Sequence, residues 1–179
     1  MPISERFFSG GSSTLRGFGF EEAGPRRAII PVGVFRDQNR EIISLNPFTV
    51  PIGGNALAIV NLEARIPLTK SLQAVPFYDG GNVYRRVGDL FKKRDDTAVP
   101  PGNLLDAINA ANLRAQWTNT VGLGFRIQTP LGGALAVDYG LLLNPPEFLI
   151  PQQAPNFDAT PAIYRTKRTQ VHFRFTQTF

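Results

Sequence analysis

The 179-residue chain contains one histidine, His172, and no cysteine. A lone imidazole lacks the partners a metal site needs, and without thiols there is neither zinc–thiolate ligation nor disulfide stapling. No serine–histidine–acid arrangement, paired-acid constellation or dinucleotide fingerprint is present. Gly122-Leu123-Gly124 lacks the third glycine and falls inside a strand-like segment. The opening run Arg6-Phe7-Phe8-Ser9-Gly10-Gly11-Ser12-Ser13-Thr14-Leu15-Arg16-Gly17-Phe18 is Gly/Ser-rich. It has no Gly-Lys-Ser/Thr ending and no preceding strand, so it is a poor phosphate cradle. It reads as a flexible terminus or as a loop carrying one arginine between apolar groups. The residues therefore predict no enzyme, no metal and no cofactor, and attention moves to the charged side chains and to what positions them.

Those positions lie on or beside alternating segments. In Asn55–Ile66 the even positions Ala56, Ala58, Val60, Leu62, Ala64 and Ile66 are all apolar, while Asn55, Asn61, Glu63 and Arg65 share the odd parity. That period of two marks a strand with one greasy and one partly polar face, stopped by Pro67. Leu72–Tyr84 continues the pattern, weakened at Pro76, with Asp79 in strand phase. In 114–128, Trp117, Val121, Leu123, Phe125 and Ile127 oppose Arg114, Gln116, Thr118, Thr120, Arg126 and Gln128. Leu135, Val137, Tyr139, Leu141 and Leu143 then oppose Ala136, Asp138 and Gly140, and Val171, Phe173, Phe175 and Phe179 oppose Gln170, His172, Arg174, Thr176 and Thr178.

Five strands of about 10 residues result, close to the ~9–11 that cross a bilayer at a tilt. Short connections (67–71, 129–134) alternate with long, polar, Pro-rich ones (85–113, 144–168), the layout of an outer-membrane barrel. Within 85–113, Asn103 to Ala111 has the pattern of a short helix capped by Asn103. Every ionisable residue in the strand centres (Glu63, Arg65, Asp79, Arg126, Asp138, His172, Arg174) sits opposite the apolar face. A half-exposed soluble sheet would keep that parity too, so strand length, loop asymmetry and the glycines of the polar face (Gly122, Gly124, Gly140) favour the membrane.

Composition agrees. Charged residues are 18% of the chain, below the roughly 25% of soluble domains. The net charge of +5 suits an anionic membrane surface and does not require nucleic acid. Arg85-Arg86 and Lys92-Lys93-Arg94-Asp95-Asp96 read as solvated loop, with a basic binding patch as the alternative. No segment approaches the ~20 apolar residues of a membrane helix. No signal-peptide core follows Met1, so the expectation is a chain that either stays where it is made or lacks its own beginning.

Arg6-Phe7-Phe8-x-Gly10-Gly11-x-x-x-Leu15-Arg16-Gly17-Phe18 resembles the sixth extracellular loop of the BamA/TamA surface-antigen family, outer-membrane barrels that insert other barrel proteins. Pro51-Ile52-Gly53-Gly54-Asn55, Asn61-Leu62-Glu63, Phe77-Tyr78-Asp79-Gly80-Gly81-Asn82-Val83, Val121-Gly122-Leu123-Gly124-Phe125-Arg126, Thr129-Pro130-Leu131-Gly132 and Val137-Asp138-Tyr139-Gly140 follow in the family's order. The resemblance covers nearly the whole chain.

It implies an all-β, antiparallel transmembrane barrel of sixteen strands preceded by POTRA domains, of which this chain is the C-terminal segment. Residues 1–54 would be the extracellular and lumen loop bearing Leu15, Arg16, Gly17 and Phe18, and 55–179 the last five strands. The family loop folds into the lumen, which makes Glu63 and Asp79 the carboxylate partners of Arg16. Val171, Phe173, Phe175 and Phe179 resemble the C-terminal β-signal of outer-membrane proteins. The implied partners are membrane lipid, unfolded outer-membrane clients and accessory assembly proteins, with no nucleic acid, at the bacterial outer membrane. The alternatives are a two-partner-secretion translocator and a soluble β-sheet binding module.

Overall fold

The computed structural model describes residues 2–29, 32–34, 42–44, 47–91, 104–129, 132–151 and 161–177. Strands β1 (Arg26–Ile29), β2 (Val32–Val34), β3 (Ile42–Ser44) and β4 (Phe48–Pro51) precede β5 (Ala56–Glu63), β6 (Ile66–Pro67) and β7 (Leu72–Tyr84). Helix α1 (Leu104–Asn112), β8 (Thr118–Gln128), β9 (Gly133–Leu142), β10 (Glu147–Ile150), β11 (Ala162–Arg165) and β12 (Thr169–Gln177) follow. The principal sheet is an antiparallel meander in the order β12-β9-β8-β7-β5, with β6 also on β7. Strands β7, β8 and β9 run 13, 11 and 10 residues, enough to cross a bilayer.

The alternation read from sequence becomes two unlike faces. Register aligns Leu62, Tyr78, Val121 and Leu141 in one row and Pro76, Leu123, Tyr139 and Val171 in the next. Ala74, Phe125, Val137 and Phe173 form a third row, and Leu72, Ile127, Leu135 and Phe175 a fourth. Nothing among the described residues covers this face: Leu62 is 61% and Phe173 72% exposed. The opposite face carries Val75, Phe77, Asp79, Thr118, Thr120, Asp138 and Leu142, all buried. What buries it is the N-terminal segment, whose Leu15, Phe18 and Ala23 form a core with Leu142, joined by Ile59.

The strand expected over 55–66 is interrupted after Glu63, and the cause is one imino acid. Ala64 donates to the Pro76 carbonyl at 3.1 Å, but Pro76 has no N–H to return. Glu63 pairs with Phe77 and Ile66 with Ala74, so β6 resumes in the register of β5 and only the reciprocal bond is lost. Strand β8 begins at Thr118, not at residue 114, because the Gln116 and Trp117 carbonyls accept side-chain amides of Asn82 and Asn144, each at 2.7 Å.

The long connections carry structure beyond the expected helix. Antiparallel pairs β1–β4, β2–β3 and β10–β11 form outside the meander. Helix α1 packs on β1 and β10. Asn109 Oδ1 accepts the Ala28 amide at 3.0 Å, and Asn112 exchanges two bonds of 2.7 Å with the backbone of Leu149. The proposed cap Asn103, the run Lys92–Asp96 and the terminal Phe179 lie outside the described residues.

Candidate functional site

On β5 and β7, Asn61 stands directly opposite Asp79, and Glu63 opposite Phe77. Glu63 and Asp79 are therefore diagonal neighbours on the inner face, about 7–8 Å apart by backbone position, a gap one guanidinium can bridge. Arg16 does so. Its Nε donates to Asp79 Oδ2 at 2.7 Å, Nη2 to Oδ1 at 2.6 Å, and Nη1 to Glu63 Oε1 at 2.6 Å. The Arg16 backbone N–H adds a bond to Asp79 Oδ2 at 3.1 Å. The guanidinium carbon lies 3.5 Å from the centroid of the Phe77 ring.

This pair is dry. The side chains of Arg16 and Asp79 are 4% and 0% exposed. Burying either charge alone would cost several kcal/mol, and the fork-to-fork geometry with extra donors offsets that. Burial works against the charge on the Arg16 loop side chain, but hydrogen bonds and charge from Asp79, then Glu63, outweigh it and hold its pKa above the ordinary value.

The network continues across the wall. Arg126 on β8 grips Asp138 on β9 through Nη1–Oδ1 at 2.6 Å and Nη2–Oδ2 at 3.2 Å. Its Nη2 also stands 3.9 Å from Glu63 Oε1. Charges of alternating sign, Asp79, Arg16, Glu63, Arg126 and Asp138, thus tie four strands to the loop. Arg65, 3.7 Å from Glu63 Oε2, joins from the solvent side.

The loop's own fold presents Arg16. Gly10, at φ +116°, turns the chain so that its N–H meets Thr14 Oγ1 at 2.9 Å. The Gly11 N–H reaches the Phe18 carbonyl at 3.2 Å, and the Phe18 N–H reaches Leu15 O at 3.1 Å. Asn61 Nδ2 then pins the loop to the wall, donating to Thr14 O at 2.6 Å and Asp79 Oδ1 at 2.7 Å. Leu15 and Phe18 are buried in the core described above, and Gly17 passes so close to Thr120 that a Cβ would overlap its hydroxyl.

Two contacts reach further. His172 Nε2, on β12, lies 3.1 Å from the Arg16 carbonyl, a bond the imidazole donates in the tautomer protonated at that nitrogen. Beside it, a Cβ on Gly140 would collide with the same carbonyl oxygen. Gly140→Ala is accordingly expected to destabilise the docked loop by about 1–3 kcal/mol. Limited proteolysis of the loop in the folded protein reads this, with Gly88→Ala as the control, since a Cβ at Gly88 meets nothing within 4 Å.

Arg16, Glu63 and Asp79, singled out in the sequence, come together; Leu15, Gly17 and Phe18 are buried around them. Val171, Phe173 and Phe175 stand on the exposed outer face. Sequence reasoning gave no role to Phe77, Asn61, His172 or the Arg126–Asp138 pair. Strand parity already put Phe77 on the Asp79 face, but the partner of His172 is a main-chain carbonyl, which no residue type announces.

A family model described as the Omp85 superfamily domain matches residues 1–179, the whole chain. Among solved structures, the chain is similar to BamA from Haemophilus ducreyi lacking POTRA domains 1–3, at 17% identity and a TM-score of 0.49. That match covers 98% of this chain and 28% of the other, so the chain spans about a quarter of that structure's length.

Proposed function

Because the chain belongs to the Omp85 superfamily, we propose that it supplies the lumen loop and the last five strands of a sixteen-stranded barrel that assembles β-barrel proteins in the bacterial outer membrane. The observation that carries this reading is the loop arginine docked on two wall carboxylates behind an uncovered apolar face. A water-soluble module would not leave four rows of Leu, Val, Ile, Tyr and Phe facing solvent. In hydrocarbon the same rows need no cover, and the ionic residues face an enclosed interior.

Five strands fall short of the 8 in the smallest closed membrane barrels, and an open edge in lipid leaves backbone groups unsatisfied at several kcal/mol each. Among the described residues, β5 and β12 each keep one unpaired edge within the principal sheet. Further strands therefore belong beside β5, and the free edge of β12 is the place where an incoming client strand would add by backbone hydrogen bonding. In this scheme the chain makes and breaks no covalent bond. The salt-bridged loop braces the inner wall while the seam beside β12 exchanges partners. Unfolded outer-membrane proteins are the clients, and accessory assembly proteins act alongside.

The complete protein, reconstituted in liposomes, is expected to speed the appearance of a heat-resistant folded form of a urea-unfolded barrel client over empty liposomes. No acceleration would end the assembly reading. Passage of the client into the liposome lumen without folding would identify a translocator instead.

A further inference from the structure

A second feature lies at the long-loop end of β5 and β7, away from the Arg16 network. A cleft of about 590 Å³ opens where Gly53, Gly54 and Asn55 enter β5 and Arg85 and Arg86 leave β7. Arg6 from the N-terminal segment, Arg27 from β1, and Asp106 and Asn109 from α1 also line it, with Ile52 and Leu113 as its apolar side chains. Four guanidiniums and one carboxylate converge there.

We propose that this cleft binds a ligand carrying phosphate groups, with two or more negative charges. Arg6 and Asp106 already have interactions of their own, Arg6 through a 3.1 Å bond from Nη1 to the Ile52 carbonyl. Arg27, Arg85 and Arg86 are exposed and form no ion pair with any other described residue. Asn109 Oδ1 already accepts the Ala28 amide, and its NH₂ group is a donor for the cleft. The uncommitted groups are thus donors and mostly cationic. Like charges gathered around one cleft repel one another. An oxyanion removes that repulsion and accepts the planar forks bidentately. The cleft begins one residue beyond the last buried strand position, Tyr84, where a barrel strand would reach the headgroup layer. Both a phosphorylated lipid headgroup and a soluble phosphate compound carry the required chemistry.

The test uses the full-length protein in phosphatidylcholine nanodiscs, titrated with inorganic pyrophosphate by calorimetry. Wild type is expected to bind saturably, and the Arg85→Ala/Arg86→Ala double variant at least about tenfold more weakly, since each lost charge-assisted hydrogen bond is worth about 1.5–3 kcal/mol. Lys70→Ala, a charge removed beside a short turn at the other end of the sheet, is expected to bind as wild type does. Heat-modified electrophoretic mobility checks that each variant is folded, and Arg27→Ala replaces the double variant if that one is not. Adding phosphatidic acid to the nanodiscs separates the sources: competition with pyrophosphate assigns a lipid headgroup, and its absence assigns a soluble compound. No saturable pyrophosphate binding, or an equal loss in Lys70→Ala, would overturn the proposal in favour of diffuse surface charge.

Discussion

Arg16→Ala is expected to destabilise the folded barrel of the complete protein by about 3–5 kcal/mol, the effect of removing one partner from a buried ion pair. The magnitude comes from what is left behind. Asp79, with no exposed side-chain surface, would lose both guanidinium bonds and keep only the neutral donors of Asn61 and the residue-16 backbone N–H. Glu63 would retain Arg126 at 3.9 Å and Arg65 at 3.7 Å, so its loss is smaller. Arg16→Lys should recover only part of the stability, because an ammonium cannot present the fork that spans both carboxylates. Asp79→Asn added to Arg16→Ala should restore part of it by removing the orphaned charge, and the double-mutant cycle isolates the pair. Urea denaturation in detergent micelles, followed by heat-modified mobility, measures all three. An Arg16→Ala protein within about 0.5 kcal/mol of wild type would mean that the docked loop contributes nothing to the barrel.

Leu123→Arg is expected to cost about 2–4 kcal/mol, and Ile127→Arg about 0–1 kcal/mol, although both residues share one face of β8. The difference is depth: Leu123 lies mid-strand, beside Pro76 and Tyr139, whereas Ile127 is one residue from the strand's end at Gln128. A guanidinium at the bilayer midplane has no water within easy reach, while near the interface it snorkels. On a water-facing sheet both changes would fall within about 0.5 kcal/mol of neutral and show no gradient. Refolding into vesicles of phosphatidylcholine, with equilibrium denaturation of each variant, reads the gradient directly.

Parity made the strands legible. Trp117, Val121, Leu123, Phe125 and Ile127 announce one face of β8 because side chains on a strand alternate whatever lies around them. The same rule put Glu63 and Asp79 on one wall. It also put Val75 and Phe77 there, yet an inner wall of polar expectation gives no reason for buried apolar residues. Phe77 is explained by Arg16 lying over its ring, and loop docking joins residues 47 and 63 positions apart. The pairs β1–β4 and β10–β11 were illegible for a related reason. They are four residues each, too short for alternation to rise above local noise, and α1 adds side-chain bonds to them through Asn109 and Asn112. Pro76 was visible as a flaw, but its reach of a single missing bond depended on which neighbour its carbonyl faced.

The contact between His172 and the Arg16 carbonyl bears on how the final strand keeps its place. A shift of β12 by one residue along β9 would turn the imidazole outward and drive the Phe173 ring toward the space that Gly140 leaves for the loop. The loop thus acts as a key for the phase of the terminal strand, read from inside. In the proposed scheme its outer margin could then part from one neighbour and accept another without the whole ribbon sliding out of step.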